Sequence, residues 1–204
     1  MSYIGRQLNL PASIAQLTAE GAITAGKPCI VEADGDVAQV ATVSQSASTP
    51  VNFESAAVKF ISVAYDANAQ KIVIAYEDDA NSDYGTAVVG TVSGDSISFG
   101  TPVVYESAST QYHSVVYDEN AQKVVIAYKD SGNSNYGTAI VGTVSGTSIS
   151  FGSAAVFESG ATNYISTAYD SDSQKVVIGY QDYGNSSYGT AIVGTVSGTS
   201  ISFG

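Results

Sequence analysis

The sequence predicts an all-β protein that contains three copies of one 52-residue repeat. The ranges Thr49–Gly100, Thr101–Gly152 and Ser153–Gly204 align without a gap, and Tyr136–Gly152 is identical to Tyr188–Gly204. Val, Ile, Thr and Tyr dominate each copy, which is the composition of β-strands. No segment shows the 3.6-residue period of an amphipathic helix. We therefore expect three equivalent β units in residues 49–204.

Each copy contains four strand signals separated by turn residues. In the middle copy the four strands are predicted over Tyr112–Asp118, over Lys123–Tyr128, over Gly137–Ser145 and from Ser148 through Phe151. The run Val124–Tyr128 is apolar on both faces, which predicts that the second strand is covered on both sides. Four antiparallel strands in a unit of this length are typical of a β-propeller blade.

Three blades do not close a ring, because propellers use about four to eight. Three arrangements stay open at this point. The chain is part of a longer propeller, or two subunits with three blades each complete one ring, or the repeats stack openly. We favour the first arrangement, with the six-blade dimer second.

Residues 1–48 differ from the repeats and predict an N-terminal arm followed by a small β module that attaches the protein to a partner. Pro11 interrupts any helix in the arm. The tight turn Ala33–Asp36 separates two short apolar runs, Pro28–Glu32 and Val37–Val43. The polar residues 44–48 are predicted to be a linker.

Charge and composition exclude several classes of function. The net charge is −12, with 7 basic residues, so binding to nucleic acid or to an anionic membrane is not expected. No apolar run is long enough to span a bilayer, and the start lacks the pattern of a secretory leader. The lone Cys29 excludes an intrachain disulfide and a two-cysteine zinc site. We expect no cofactor.

Catalysis is not expected either. His113 is the single histidine, and its counterparts in the other copies are Ile61 and Ile165, so it occupies an ordinary β position. The carboxylates of Glu106 and Asp130 could act together on a glycoside, but the pair recurs in every copy without one distinct site. A glycosidase is therefore the distant alternative.

The acidic loop 77–83 carries oxygen ligands at alternate positions, a pattern that could hold calcium. Its counterparts 129–135 and 181–187 each keep a single carboxylate. A repeated metal site is therefore not expected.

The candidate binding residues lie in the loop between the second and third strands of each copy. In an up-and-down blade this loop shares a rim with the connection between blades, predicted over Glu106–Tyr112. The recurring loop residues are Asp78, Asn81, Tyr84, Asp130, Asn133, Tyr136, Asp182, Asn185 and Tyr188. Amides, carboxylates and tyrosine faces suit a sugar or an adaptable protein contact. In the competing interpretation these side chains only hold their own loops.

The repeat resembles propeller-like repeats in structural proteins of marine and freshwater tailed phages. The residues that carry the resemblance are Tyr117–Asp130 and Asn133–Gly152, with their copies. The start, Ser2–Gln7, looks like the opening of phage tail-fibre and virion proteins. The segment Gly21–Pro28, continuing to Asp34-Gly35, looks like the short β module of head-decoration proteins.

The resemblance implies a virion structural protein, of the tail-fibre, head-fibre or capsid-decoration type, with its N-terminus on the particle and its repeats outward for host attachment. Other virion proteins of the capsid or tail, a further copy of the chain and a host-surface glycan are the implied partners. The apolar residues of the arm are the predicted attachment residues: Tyr3, Ile4, Leu8 and Leu10. The alternative is a carbohydrate-binding β-propeller lectin or adhesin.

Overall fold

The computed structural model describes residues 18–19, 21–39 and 49–204. The predicted attachment residues lie outside these ranges: Tyr3, Ile4, Leu8 and Leu10. The chain divides into two compact units, Met1–Ala47 and Ser48–Gly204. Within the described ranges, no helix has both the length and the apolar character needed to cross a membrane.

The described part of the first unit contains a short antiparallel hairpin. Its strands are β1, Cys29–Val31, and β2, Val37–Gln39. The predicted tight turn closes it, because the amide of Glu32 donates to the carbonyl of Asp36 at 2.8 Å. Gly35 has φ of 91°, a left-handed conformation that favours glycine at this position of the turn.

The second unit is all-β, as the sequence predicts, and its described strands form one antiparallel sheet of twelve. In the first repeat the strands are β3 Val58–Asp66, β4 Lys71–Asp78, β5 Tyr84–Ser93 and β6 Ser96–Phe99. In the second they are β7 Val103–Asp118, β8 Lys123–Asp130, β9 Tyr136–Ser145 and β10 Ser148–Phe151. In the third they are β11 Ala155–Asp170, β12 Lys175–Asp182, β13 Tyr188–Ser197 and β14 Ser200–Phe203.

Hydrogen bonding joins these strands in the order β14-β13-β12-β11-β9-β8-β7-β5-β4-β3, with β10 on β9 and β6 on β5. The only helical segments in residues 49–204 are two single 3-10 turns, Asp79–Asn81 and Ser131–Asn133.

The long strands β7 and β11 connect the repeats. The first half of β7 pairs with β5 of the preceding repeat, and its second half pairs with β8 of its own repeat. The register shifts between Gln111 and Ser114, where Tyr112 has φ of 54°. The segment Glu106–Tyr112, predicted as a connecting loop, is therefore strand. Glu106 and Ser109 pair with residues one repeat earlier in the chain, so local composition could not reveal these partners.

The second strand of the middle repeat is covered on both faces, which confirms the prediction from its continuous apolar run. All five residues from Val124 to Tyr128 are fully buried. Val124, Ile126 and Tyr128 pack in one cluster with residues of the first repeat. Val125 and Ala127 pack in a second cluster with residues of the third repeat. The second repeat thus presents one sheet face to the first repeat and the other to the third.

Tyrosine hydroxyls also form hydrogen bonds between successive repeats. The Tyr117 hydroxyl accepts a hydrogen bond from the amide of Asn68 at 3.2 Å, and the Tyr169 hydroxyl accepts one from Asn120 at the same distance. The equivalent Tyr65 of the first repeat is 54% exposed. Its exposure follows from its position, since no earlier repeat precedes it in the described unit.

Candidate functional site

The loop between the second and third strands of each repeat is held from inside by its aspartate. Asp130 is buried, and its Oδ1 accepts a hydrogen bond from the amide of Asn133 at 3.0 Å. Asp182 accepts the same bond from Asn185 at 3.0 Å. Asp78 is equally buried but accepts no such bond from the described residues. The aspartates therefore face the protein, and two of them hold the loop backbone.

Two consecutive left-handed residues turn each loop back into the sheet. In the second repeat these are Ser134, with φ of 57°, and Asn135, with φ of 65°. Such values are uncommon outside glycine, although asparagine tolerates them better than most residues. The carbonyl of Asn135 accepts a hydrogen bond from the amide of Thr162 in the next repeat at 3.1 Å. The loop of the second repeat is thus also bonded to the repeat that follows it.

The asparagines of the same loops are exposed, whereas the tyrosines range from half-buried to exposed. The three asparagines are exposed: Asn81, Asn133 and Asn185. Two of the tyrosines are half-buried, Tyr84 and Tyr136, whereas Tyr188 is exposed. Each loop therefore places an exposed amide close in sequence to a tyrosine ring. We call the set of three loops 78–84, 130–136 and 182–188 the rim.

A row of aromatic rings runs across the repeats at the position where the long strands change register. Phe60, Tyr112 and Tyr164 occupy the same position of the three repeats, and neighbouring ring centroids are 5.1 and 5.2 Å apart. All three have a positive φ, of 49°, 54° and 50°. This conformation is strained for bulky residues, and such strain concentrates at functional sites. The Nζ of Lys129 lies 5.8 Å from the Tyr112 centroid.

We call the set of Phe60, Tyr112 and Tyr164 the aromatic row. Tyr112 belongs to the predicted connection Glu106–Tyr112, whereas Phe60 and Tyr164 were not predicted as site residues. The signal was available, because an aromatic residue recurs at this position in every copy. What could not be read from sequence is the positive φ, which brings the three rings side by side.

The carboxylates that suggested acid–base chemistry are bonded within the repeat. The Tyr128 hydroxyl donates to Oε2 of Glu106 at 3.2 Å, and Tyr180 makes the same bond to Glu158 at 3.1 Å. Burial, followed by the negative charge of Asp130, raises the pKa of Glu106. Burial also raises the pKa of Tyr180 to about 12. These contacts hold the start of each long strand against the second strand of its own repeat.

The acidic loop of the first repeat surrounds a lysine. Ligand oxygens of Glu77, Asp79 and Asp83 lie within 4.8 Å of one another. The Nζ of Lys59 lies 2.8 Å from Asp79 Oδ1 and 3.3 Å from Glu77 Oε1. The lysine ammonium therefore supplies the positive charge at this cluster. Burial raises the pKa of Glu77, and the hydrogen bond from Lys59 opposes that shift.

His113 connects two repeats from a buried position. Its Nδ1 donates to the carbonyl of Phe60 at 3.0 Å, and its Nε2 lies 2.8 Å from Thr110 Oγ1. Because a carbonyl can only accept, the proton is on Nδ1, and Nε2 of the neutral ring accepts from Thr110. Burial lowers the pKa of His113 to about 4, with the bond to Phe60 opposing that shift. The ring is neutral at pH 7 and both nitrogens are bonded.

Among the described residues, the rim and the aromatic row thus both present exposed groups that could contact a ligand. The rim contributes amides and tyrosines, and the aromatic row contributes ring faces beside Lys129. Comparison with known proteins gave no match to a protein-family model, to a curated protein or to a solved structure.

Proposed function

We propose that the protein is a structural component of a phage virion, of the fibre or capsid-decoration type. Residues 1–48 attach it to the particle, and the repeat unit is displayed outward, where it contacts the host surface. The observation that supports this most is the loop arrangement. In all three copies the recurring aspartate is buried, the asparagine is exposed and the tyrosine is half-buried or exposed, which suits repeated surface contact.

We further propose that each repeat is a propeller-like blade. The first strand of a blade is the second half of a long strand, and the next two strands of the chain are its second and third. The fourth strand is the short strand together with the first half of the next long strand. In the second repeat these are β7, β8, β9 and β10 with the start of β11. The packing of each repeat's two faces against its neighbours supports this interpretation.

Attachment through the arm predicts that removing residues 1–20 abolishes incorporation into particles. The repeat unit should still fold, because the described residues of its three core clusters all lie in the range 49–204. The measurement is the amount of protein in purified particles, by quantitative mass spectrometry, together with the melting temperature of the truncated chain. Normal incorporation of the truncated chain would place the anchor elsewhere.

A sharper variant leaves the arm at full length. Serine replaces the four apolar residues Tyr3, Ile4, Leu8 and Leu10, and the matched control replaces the polar residues Ser2, Gln7 and Asn9 by alanine. We expect the first variant to be lost from particles and the control to be retained. Equal retention of both would remove the proposed role of the apolar side chains.

The second candidate function is that of a carbohydrate-binding protein, and the aromatic row favours it. Sugars bind through their apolar faces on aromatic rings and through their hydroxyls on amides and charged groups. Tyr164 is 69% exposed, and Lys129 Nζ lies 3.3 Å from Asn163 Oδ1, so ring, ammonium and amide lie within one patch.

Replacing the rim tyrosines Tyr84, Tyr136 and Tyr188 together by alanine should weaken binding on a glycan array by about tenfold or more. The melting temperature should change little, because these rings are exposed or half-buried. Tyr65→Ala, at an exposed tyrosine outside the rim, is the control and should bind normally. Unchanged binding by the triple variant, or a large loss of stability, would assign the rim tyrosines a structural role.

A further inference from the structure

The third repeat exposes a sheet face that the other two repeats bury. Val193 on β13 is 45% exposed, whereas Val89 and Val141 at the same position are fully buried. Ala191 is exposed where Ala139 is fully buried. In the first and second repeats this face is covered by the next repeat. We call the exposed face of β12 and β13 the tail face.

The first repeat exposes the complementary surface. Val63 on β3 is 54% exposed, whereas Val115, its counterpart, is 8% exposed and packs in the cluster with the first repeat. Ile61 is 52% exposed, whereas its counterpart Ile165 is 8% exposed. In the second and third repeats this surface is covered by the preceding repeat. We call the surface formed by Val51–Phe53 and β3 the head face.

Glycines on the tail face show what should cover it. At Gly137 an added Cβ would lie 2.4 Å from the ring of Phe157 in the next repeat, and Gly85 is similarly crowded. Gly189 occupies the same position in the third repeat, yet nothing described lies within 4 Å of its Cβ position and its φ is not left-handed. Neither conformation nor contact requires glycine there. The counterpart of Phe157 in the first repeat is Phe53.

A hydrogen bond from a backbone amide to a serine hydroxyl also occurs at both contacts between successive repeats, and the third repeat has an equivalent serine without this bond among the described residues. The amide of Thr167 donates to Ser114 Oγ at 2.9 Å, and the equivalent bond between the first and second repeats measures 3.0 Å. The next acceptor in the series is Ser166, which is exposed on the third repeat. The matching donor is the amide of Val63 on the head face.

We propose that the tail face of one chain binds the head face of a second copy. In this contact Val51–Phe53 pairs alongside β13, as Val103–Tyr105 lies alongside β5 within the chain. The phenyl ring of Phe53 then covers Gly189. The amide of Asp172 donates to Asp170 Oδ1 at 3.0 Å in the single chain, and in this contact the hydroxyl of Tyr65 replaces that acceptor. Tyr117 and Tyr169 accept from the equivalent amides of Asn68 and Asn120 inside the chain. The chain already forms this interface twice, between its own repeats. The contact is heterologous, so copies associate in one direction.

This interface is built from the repeat unit alone and does not depend on the proposed place in a virion. Its first test is sedimentation velocity of the full chain over a range of concentrations. The wild-type chain should associate. Val63→Lys on the head face and Val193→Lys on the tail face should each remain monomeric. Val104→Lys, at a valine that is 42% exposed within the repeat array, is the matched control and should associate as the wild type does.

An equimolar mixture of the two lysine variants separates this contact from a symmetric one. Each variant keeps the face that the other has lost, so the mixture should form a one-to-one complex that does not grow further. Association of Val63→Lys by itself would show a symmetric tail-to-tail contact and overturn the proposal. A wild-type chain that stays monomeric at every concentration would overturn it too, and would leave the tail face to a different partner.

The glycines provide a second test that leaves the fold intact. Gly189→Ala adds a methyl group in open space, so its melting temperature at low concentration should equal that of the wild type. In the assembly the same methyl group would clash with Phe53, and the dissociation constant should rise by about tenfold or more. Gly137→Ala, the same change inside the chain, should lower the melting temperature instead. Wild-type association of Gly189→Ala would contradict the proposed contact.

Discussion

Phe157→Ala is expected to lower the free energy of unfolding of the repeat unit by about 3–5 kcal/mol, because it leaves a cavity between the second and third repeats. Phe157 is buried, and its ring centroid lies 5.1 Å from that of Tyr180 and 5.8 Å from that of Phe203. The ring also covers Gly137 of the preceding repeat. Its removal therefore weakens both the third repeat and its contact with the second.

Chemical denaturation monitored by circular dichroism measures this loss. Val156→Ala is the control, because Val156 is the preceding residue on the same strand and is 44% exposed. The control should change the free energy of unfolding by no more than about 0.5 kcal/mol. A loss below about 1 kcal/mol for Phe157→Ala would show that the ring is not the contact between repeats that the structure describes.

Val141→Ala is expected to lower the free energy of unfolding by about 2 kcal/mol more than Val193→Ala does. The substitution and the position in the repeat are the same in both variants. Val141 is fully buried against the third repeat, and its truncation loses about 0.8 kcal/mol for each buried carbon plus a cavity term. Val193 lies on the exposed tail face, so Val193→Ala should cost no more than about 0.5 kcal/mol.

The comparison should be made at low protein concentration, where association of copies does not cover Val193. Thermal and urea denaturation of the two variants in the same buffer provide the measurement. Equal losses would mean that the tail face is already covered in the isolated chain. A small loss for Val141→Ala would mean that the second and third repeats do not pack as described.

Much of the fold was predictable because the repeat period and the strand pattern are both explicit in the sequence. The run Val124–Tyr128 predicted a strand covered on both faces, and every residue in it is buried. The continuous strand β7 was not predictable in the same way. Its first half is strand because it pairs with β5 of the preceding repeat, a contact that no local pattern encodes.

The candidate site was predictable in composition but not in orientation. The recurrence of Asp130, Asn133 and Tyr136 identified the loop, yet composition could not tell that the aspartate turns inward while the asparagine stays exposed. That difference follows from the hydrogen bond between Asp130 and the amide of Asn133. The aromatic row was missed because its alignment requires the positive φ of Tyr112, which depends on the register shift in β7.

In the proposed virion role, the repeat unit stands on the outside of an intact particle. The most direct measurement is immunogold electron microscopy of unbroken virions with an antibody against the exposed loop residues 131–136. We expect label on the particle surface, at positions that disappear when residues 1–20 are deleted. Absence of label on intact particles in a host that expresses the protein, or label only after the particles are disrupted, would contradict outward display on a virion.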